Sequence, residues 1–291
     1  MSKTRLLGAF ALSSLVLAAS EIGCVQTDSS KTSEDPDVAG ASGASSSSAG
    51  ASGDSGGSAA GGTSPEVSVD CPGAVPAGIS ASWCSCAQWG ELTEGDVTYY
   101  NDIWGSGAGP QCIWVAGEKW GIASNHPSGG SVKAYPNISY SPGTPVGDIN
   151  TYTSSFEVTL PDGGAWEATY DIWVKNSSGQ RIEIMLWMMT HGSVFPASST
   201  ADPAAPNVDV GGHTWNVYYG AFGGNEVDTL IRTSGTASAT VDVKAILDWL
   251  IANKQSFDDN WTLDQVQFGF EIVSDEAVHS YVVDSFSVSS S

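Results

Sequence analysis

The sequence predicts an all-β fold, a sandwich or β-jelly roll of two antiparallel sheets with one short packed α-helix. Three observations predict it. From about Ala81 onward, short runs of alternating apolar and polar residues recur, punctuated by Gly, Pro, Asn and Asp. One stretch departs from this, with Val243, Ile246, Leu247 and Leu250 at the helical period inside Val241–Asn253. The first seventy residues carry almost no large apolar side chains beyond an N-terminal run, so the folded part begins near Cys71.

The strands expected in order are Thr98–Ile103, Gln111–Ala116, Val132–Ala134, Ser155–Thr159, Ala168–Val174, Arg181–Met188, His213–Tyr219, Glu226–Thr233, Gln265–Val273 and Ser280–Val288. Their number and spacing fit a sandwich or jelly roll. Asp242 or Thr240 is placed to cap the helix, since a short side-chain oxygen there accepts from a free N–H of the first turn.

Ahead of the fold, Lys3 and Arg5 precede an apolar run from Leu6 to Ala19. That is the pattern of a secretory signal, and the run is too short to span a bilayer comfortably. Two readings stand. Cleavage follows the small residues near Ala18–Ser20, or a lipid is attached at Cys24, which Ile22 and Gly23 precede although Glu21 stands where a lipobox wants Leu. Residues 1–23 are therefore read as a signal peptide, 24–70 as a disordered Ser/Gly/Ala-rich linker, and 71–291 as the folded domain of an extracellular or cell-surface protein.

Net charge is −22, from 10 Lys and Arg against 32 Asp and Glu. A nucleic-acid partner needs a basic stripe to neutralise phosphates, and nothing here supplies one. The acidity itself is explained by solubility. The 11 Trp residues exceed what a core of this size needs, and indole faces stack on the C–H faces of sugar rings.

Setting Cys24 aside leaves Cys71, Cys84, Cys86 and Cys112. In an exported chain four cysteines imply two disulfides, with three possible pairings. The Cys84–Cys86 spacing is too tight for a zinc pair, and the scattered His126, His191, His213 and His279 read as loop or surface residues, so no metal site is expected.

Side chains alternate between the faces of a strand. In Arg181–Trp187, Ile182, Ile184 and Leu186 share an apolar face, while Glu183, Met185 and Trp187 share the other. In Gln265–Ile272, Phe268, Phe270 and Ile272 face the core and Gln267, Gly269 and Glu271 face away, with Gly269 leaving room for a ligand beside Glu271. A single Glu on a strand is ordinarily a solvated surface acid. Two at the centres of apolar strands match retaining glycoside hydrolysis, which uses two carboxylates about 5 Å apart across the scissile bond. Asp171 lies on the preceding strand of a hairpin with Glu183, where it can share a proton with it; a solvated strand acid is the plainer reading. A Gly-x-Ser-x-Gly at Gly53–Gly57 falls in the linker, and Gly105–Gly109 lacks the Lys of a nucleotide loop. A non-catalytic carbohydrate-binding sandwich explains the Trp residues but not the two Glu residues.

These pieces together resemble glycoside hydrolase family 12, endo-β-1,4-glucanases and xyloglucanases with a β-jelly roll and one helix. The resemblance rests on Glu183-Ile184-Met185-Leu186-Trp187, Phe268-Gly269-Phe270-Glu271, Cys86-Ala87-Gln88-Trp89, Tyr100-Asn101-Asp102-Ile103-Trp104-Gly105, Cys112, Tyr135-Pro136-Asn137 and Gly211-Gly212-His213-Thr214-Trp215, and it spans about Ser82 to Ser287. It implies that Glu183 is the nucleophile, Glu271 the general acid/base and Asp171 the acid assisting Glu183. Trp104 would stack on a sugar with Asn101 hydrogen-bonding nearby, Met185 and Trp187 would floor the cleft, and Tyr135 and Asn137 would line it. It also implies a Cys86–Cys112 disulfide, which leaves Cys71 with Cys84. The implied reaction needs no metal or organic cofactor, and a monomer acting on a β-glucan is expected. Asp102 stands where many relatives carry a second Asn, and the extension with Cys71 and Cys84 is a further departure. Substrate choice between unbranched β-glucan and xyloglucan is left to the cleft loops, Trp104, His126–Gly130 and Thr190–Pro206.

Overall fold

The computed structural model describes residue 71, residues 73–198 and residues 200–291. The signal peptide, Cys24 and the linker lie outside these residues. In chain order the strands are β1 (Trp83–Ser85), β2 (Glu91–Glu94), β3 (Val97–Tyr100), β4 (Gln111–Ala116), β5 (Lys119–Ser124), β6 (Asn137–Tyr140), β7 (Thr144–Pro145) and β8 (Tyr152–Thr159). They continue as β9 (Ala165–Lys175), β10 (Arg181–His191), β11 (Ala205–Val210), β12 (His213–Phe222), β13 (Asn225–Arg232), β14 (Ser238–Asp242), β15 (Thr262–Ser274) and β16 (His279–Ser290). The helix α1 (Val243–Asn253) joins β14 to β15.

Two sheets face each other. The smaller runs β1-β4-β5-β16-β8-β14, and the larger runs β11-β12-β13-β10-β9-β15-β6-β3-β2, with β7 paired to β15. The core between them is filled by the apolar halves of the central strands. Ile182, Ile184 and Leu186 come from β10, Tyr170, Ile172 and Val174 from β9, and Phe268, Phe270 and Ile272 from β15. Phe268 stacks on Phe156 of the opposite sheet with ring centroids 4.5 Å apart, so the layers are joined by aromatic contact as well as by area.

The expected purely antiparallel arrangement needs one correction, because β10 and β13 run parallel. The β11–β12 hairpin is laid outboard, and β13 returns between β12 and β10, which fixes its direction. Val132–Ala134 is not a strand; Ala134 makes only isolated bridges to Ile103 and Ile272. The alternation in β10 breaks at a bulge between Trp187 and Met189, after which Met188 and Met189 both pack on the core. The helix buries Val243, Ile246, Leu247 and Leu250, and Asp242 is the cap, its carboxylate accepting from Ala245 N at 3.0 Å. The disulfides are Cys71–Cys84 and Cys86–Cys112.

Candidate active site

The outer face of a two-layer sandwich is normally wet. Here its centre is not: Glu183, Glu271, Asp171 and Glu167 on that face are each 1–4% exposed. A second apolar cluster lies on the same side, built from Met185, Trp187, Val132, Ala197, Val227 and Val273, with Trp104 packed partly buried against it. Burial on both faces of β9, β10 and β15 means that loops wall in the middle of the larger sheet and leave a cleft.

Register shows how the acids meet. Glu183 stands opposite Trp173 on β9, Asp171 opposite Met185 on β10, and Glu271 opposite Glu167 on β9. Trp173 and Glu167 are six residues apart, about 20 Å along a straight strand. Yet the charge of Glu271 acts on Glu183, and both act on Asp171. The two glutamates thus lie within electrostatic range of each other and of Asp171, whose strand β9 runs between theirs.

Burial pushes the Glu183 carboxyl up to about 8, with the Glu271 charge adding to it, while Arg181 and a hydrogen bond from Asp171 pull the other way. Asp171 is raised well above the usual carboxylate range by burial first and by Glu183 and Glu271 next. Tyr135 Oη is buried among Asp171, Glu271, Glu183 and Asp102, with Thr169 O at 3.5 Å, and burial raises its phenol well above the usual range.

Several buried polar atoms on this face have no partner within the protein among the described residues. They are Asn137 Oδ1, Gln267 Oε1, Thr229 Oγ1, Trp173 Nε1, Trp187 Nε1, Asp171 Oδ1 and Glu167 Oε2. Thr229, Asp171 and Gln267 fall in one cross-strand row with Met185. Orphaned donors and acceptors are costly unless a ligand satisfies them, and a polyhydroxylated chain offers both kinds of group.

The sequence-predicted residues take different places. Glu183, Glu271, Asp171, Met185, Trp187, Tyr135 and Asn137 are gathered at the cleft, and Trp104 lies beside the cleft cluster. Asn101 is wholly buried. Its amide donates to Ala87 O at 2.8 Å and its Oδ1 accepts from Gln111 Nε2 at 3.0 Å, so it holds the loop bearing Trp104 and has no group turned to a sugar. Gly269 leaves no room for a ligand either, since a Cβ there would lie 2.1 Å from Pro136 O. His126 is buried, its Nδ1 accepting from Gly109 N at 3.0 Å and its Nε2 donating to Gln111 at 2.9 Å. Reading along the chain missed two acids. Glu167 shares the face of Asp171 by simple alternation, four residues earlier, and was legible. Asp102, part-buried at φ 37° with its carboxyl pushed up to about 7 by burial, was read only as a departure from a motif.

A jelly-roll sandwich whose larger sheet carries two buried carboxyl groups within electrostatic range of each other, on the face that also bears Met185 and Trp187, fits the two-carboxylate glycosidase class. Residues 96–290 match the model of glycosyl hydrolase family 12. The chain belongs to that family and is a glycoside hydrolase. It is 32% identical over 200 residues to the xyloglucan-specific endo-beta-1,4-glucanase A of Emericella nidulans, covering 64% of this chain and 82% of that one. Among solved structures it is similar to the xyloglucanase domain of NopAA, a type three effector from Sinorhizobium fredii in complex with cellobiose. The identity is 39%, the TM-score 0.68, and the match covers 72% of this chain and 99% of that one. A meso-active, thermostable cellulase derived from Cel12A of Rhodothermus marinus gives 32% identity and a TM-score of 0.62, with 72% and 99% covered.

Proposed function

We propose that this family 12 endo-β-1,4-glucanase cuts internal bonds of its polymer with retention, Glu183 as nucleophile and Glu271 as general acid/base. The observation that carries the assignment is the placement of buried Glu183 on β10 and buried Glu271 on β15, with buried Asp171 on β9, the strand between them. Glu271 donates its proton to the glycosidic oxygen as Glu183 attacks the anomeric carbon. The covalent ester removes the Glu183 charge, so Glu271, now a carboxylate, takes a proton from water, which opens the ester. Met185 and Trp187 form the floor, Trp104 stacks on a sugar ring, and Asn137 Oδ1 and Gln267 Oε1 accept from sugar hydroxyls.

Cellulose or mixed-linkage β-glucan is one reading of the polymer. Xyloglucan is the second, and it is supported by the relatives named above, one curated and one solved, both xyloglucan-active by name. Purified residues 71–291 are assayed on carboxymethyl-cellulose, barley β-glucan and tamarind xyloglucan beside Glu183→Gln and Glu271→Gln. The expected outcome is activity in the parent and a loss of about 10³-fold or more in each variant. Binding without cleavage by the folded parent would replace the enzyme with a binding module. The polymer with the highest kcat/KM decides between the two readings. Export, attachment or release at Cys24, and a monomeric state complete the proposal; fractionation of cells expressing the full chain and size-exclusion chromatography test them.

A further inference from the structure

The central strand β9 carries two acids four residues apart on its cleft face, and each meets a different catalytic candidate. Asp171 hydrogen-bonds to Glu183 on β10, on one side. Glu167 hydrogen-bonds to Glu271 on β15, on the other. Glu167 and Glu271 are direct cross-strand partners. Glu167 is 1% exposed, and its Oε2 has no hydrogen-bond partner among the described residues.

We infer that Glu167 is the positioning residue of Glu271, holding its carboxyl and its proton in place for transfer to the leaving oxygen, as Asp171 holds the charge on Glu183. The inference rests on the assignment of Glu271 as general acid/base. The register supports it: two carboxyl groups buried side by side cannot both ionise cheaply, so the pair holds a shared proton, and burial pushes the Glu167 carboxyl up to about 8. The other titratable groups around the pair are Asp171 on β9, Glu183 on β10, Asp102 after β3 and Tyr135 before β6. On β10, the partner of Glu167 is Thr190, which does not titrate, and the next residue, His191, stacks on Trp166. No step consumes Glu167. When Glu271 gives up its proton the pair becomes more negative, and Glu167 then favours the return of a proton from water at the second step.

The test uses Glu167→Gln, Glu167→Asp and Glu271→Ala in residues 71–291, with two substrates. One is the preferred polymer, whose leaving sugar needs a proton. The other is an aryl cellobioside with an acidic phenol, which leaves without one. Glu167→Gln keeps a hydrogen-bond acceptor but removes the second carboxyl with which Glu271 shares its proton. We expect the basic limb of its kcat/KM profile to move down by about one pH unit. We also expect a loss of about tenfold or more in kcat on the polymer with little loss on the aryl glycoside, and partial recovery in Glu167→Asp. Equal losses on both substrates with an unmoved profile, or no change at all, would overturn the inference and leave Glu167 a packing residue. Glu271→Ala separates the two claims. If it too fails to discriminate between the substrates, the assignment of Glu271 is wrong and the inference falls with it. If it discriminates and Glu167→Gln does not, only the inference fails.

Discussion

Two carboxyl groups within hydrogen-bonding reach cannot both ionise cheaply, so each pair in this cleft carries a proton whose location matters. In the Asp171–Glu183 pair a hydrogen bond from Asp171 opposes the rise that burial imposes on Glu183. Removing that donor with Asp171→Ala leaves only Arg181 opposing burial, so Glu183 holds its proton to higher pH. The acidic limb of kcat/KM should then rise, with kcat falling about 10²-fold, while Asp171→Asn keeps a donor and loses less. A pH–rate series on the three proteins measures both. Asn101 illustrates what residue type alone conceals. An amide beside a Trp reads as a sugar ligand in a motif, but only the fold shows that Ala87 and Gln111 already engage it.

At the level of strands, a two-faced pattern was the legible one. Ala168–Val174, Arg181–Met188 and Gln265–Val273 alternate between a core face and a cleft face, and with Gln111–Ala116 of the smaller sheet they lie within strands of the structure. β1, β2, β7 and β11 are short or edge strands with little pattern, and β5, β6 and β14 were missed as well, although β5 buries Trp120 and Ile122. Nor does alternation reveal the parallel β10–β13 pair, which depends on where a hairpin is laid. Gly269 marks a close approach of β15 to Pro136 and Asn137. Gly269→Ala should force those backbones apart, costing about 2–3 kcal/mol of stability with loss of activity through Glu271, read by urea unfolding beside kinetics.

For the molecule as a whole, the cleft works against the fold. Glu183 and Glu167 are raised to about 8, Asp102 to about 7 and Asp228 to about 6, chiefly by burial. A group whose folded pKa lies above its unfolded value near 4 favours the fold below that value, and the contribution is lost as pH rises through the folded pKa. Buried His126 and part-buried His213 are lowered by burial and oppose the fold only below about pH 6.5. Above about pH 4.5 the four raised acids outweigh the two lowered imidazoles, so the Tm should be highest near pH 4 to 5 and fall steadily, by several degrees, to pH 8. The double variant Asp171→Asn with Glu183→Gln should flatten that slope in a calorimetric series. Which acids belong together was partly legible: alternation gave the faces, but that β9 lies between β10 and β15, a strand from far along the chain, leaves no signature in composition or period.

The two disulfides lie far from this chemistry, on the smaller sheet. Cys71 is bonded to Cys84 on the edge strand β1, and Cys86, just beyond β1, is bonded to Cys112 on β4. Tension applied to the chain ahead of Cys71 would bypass the segment up to β1 and pass through covalent bonds into β4, which is itself paired with β5. The handle by which this domain can be pulled is thus riveted to the sheet opposite the cleft, so a load on it is borne by the back of the molecule and not by the walls that hold the substrate.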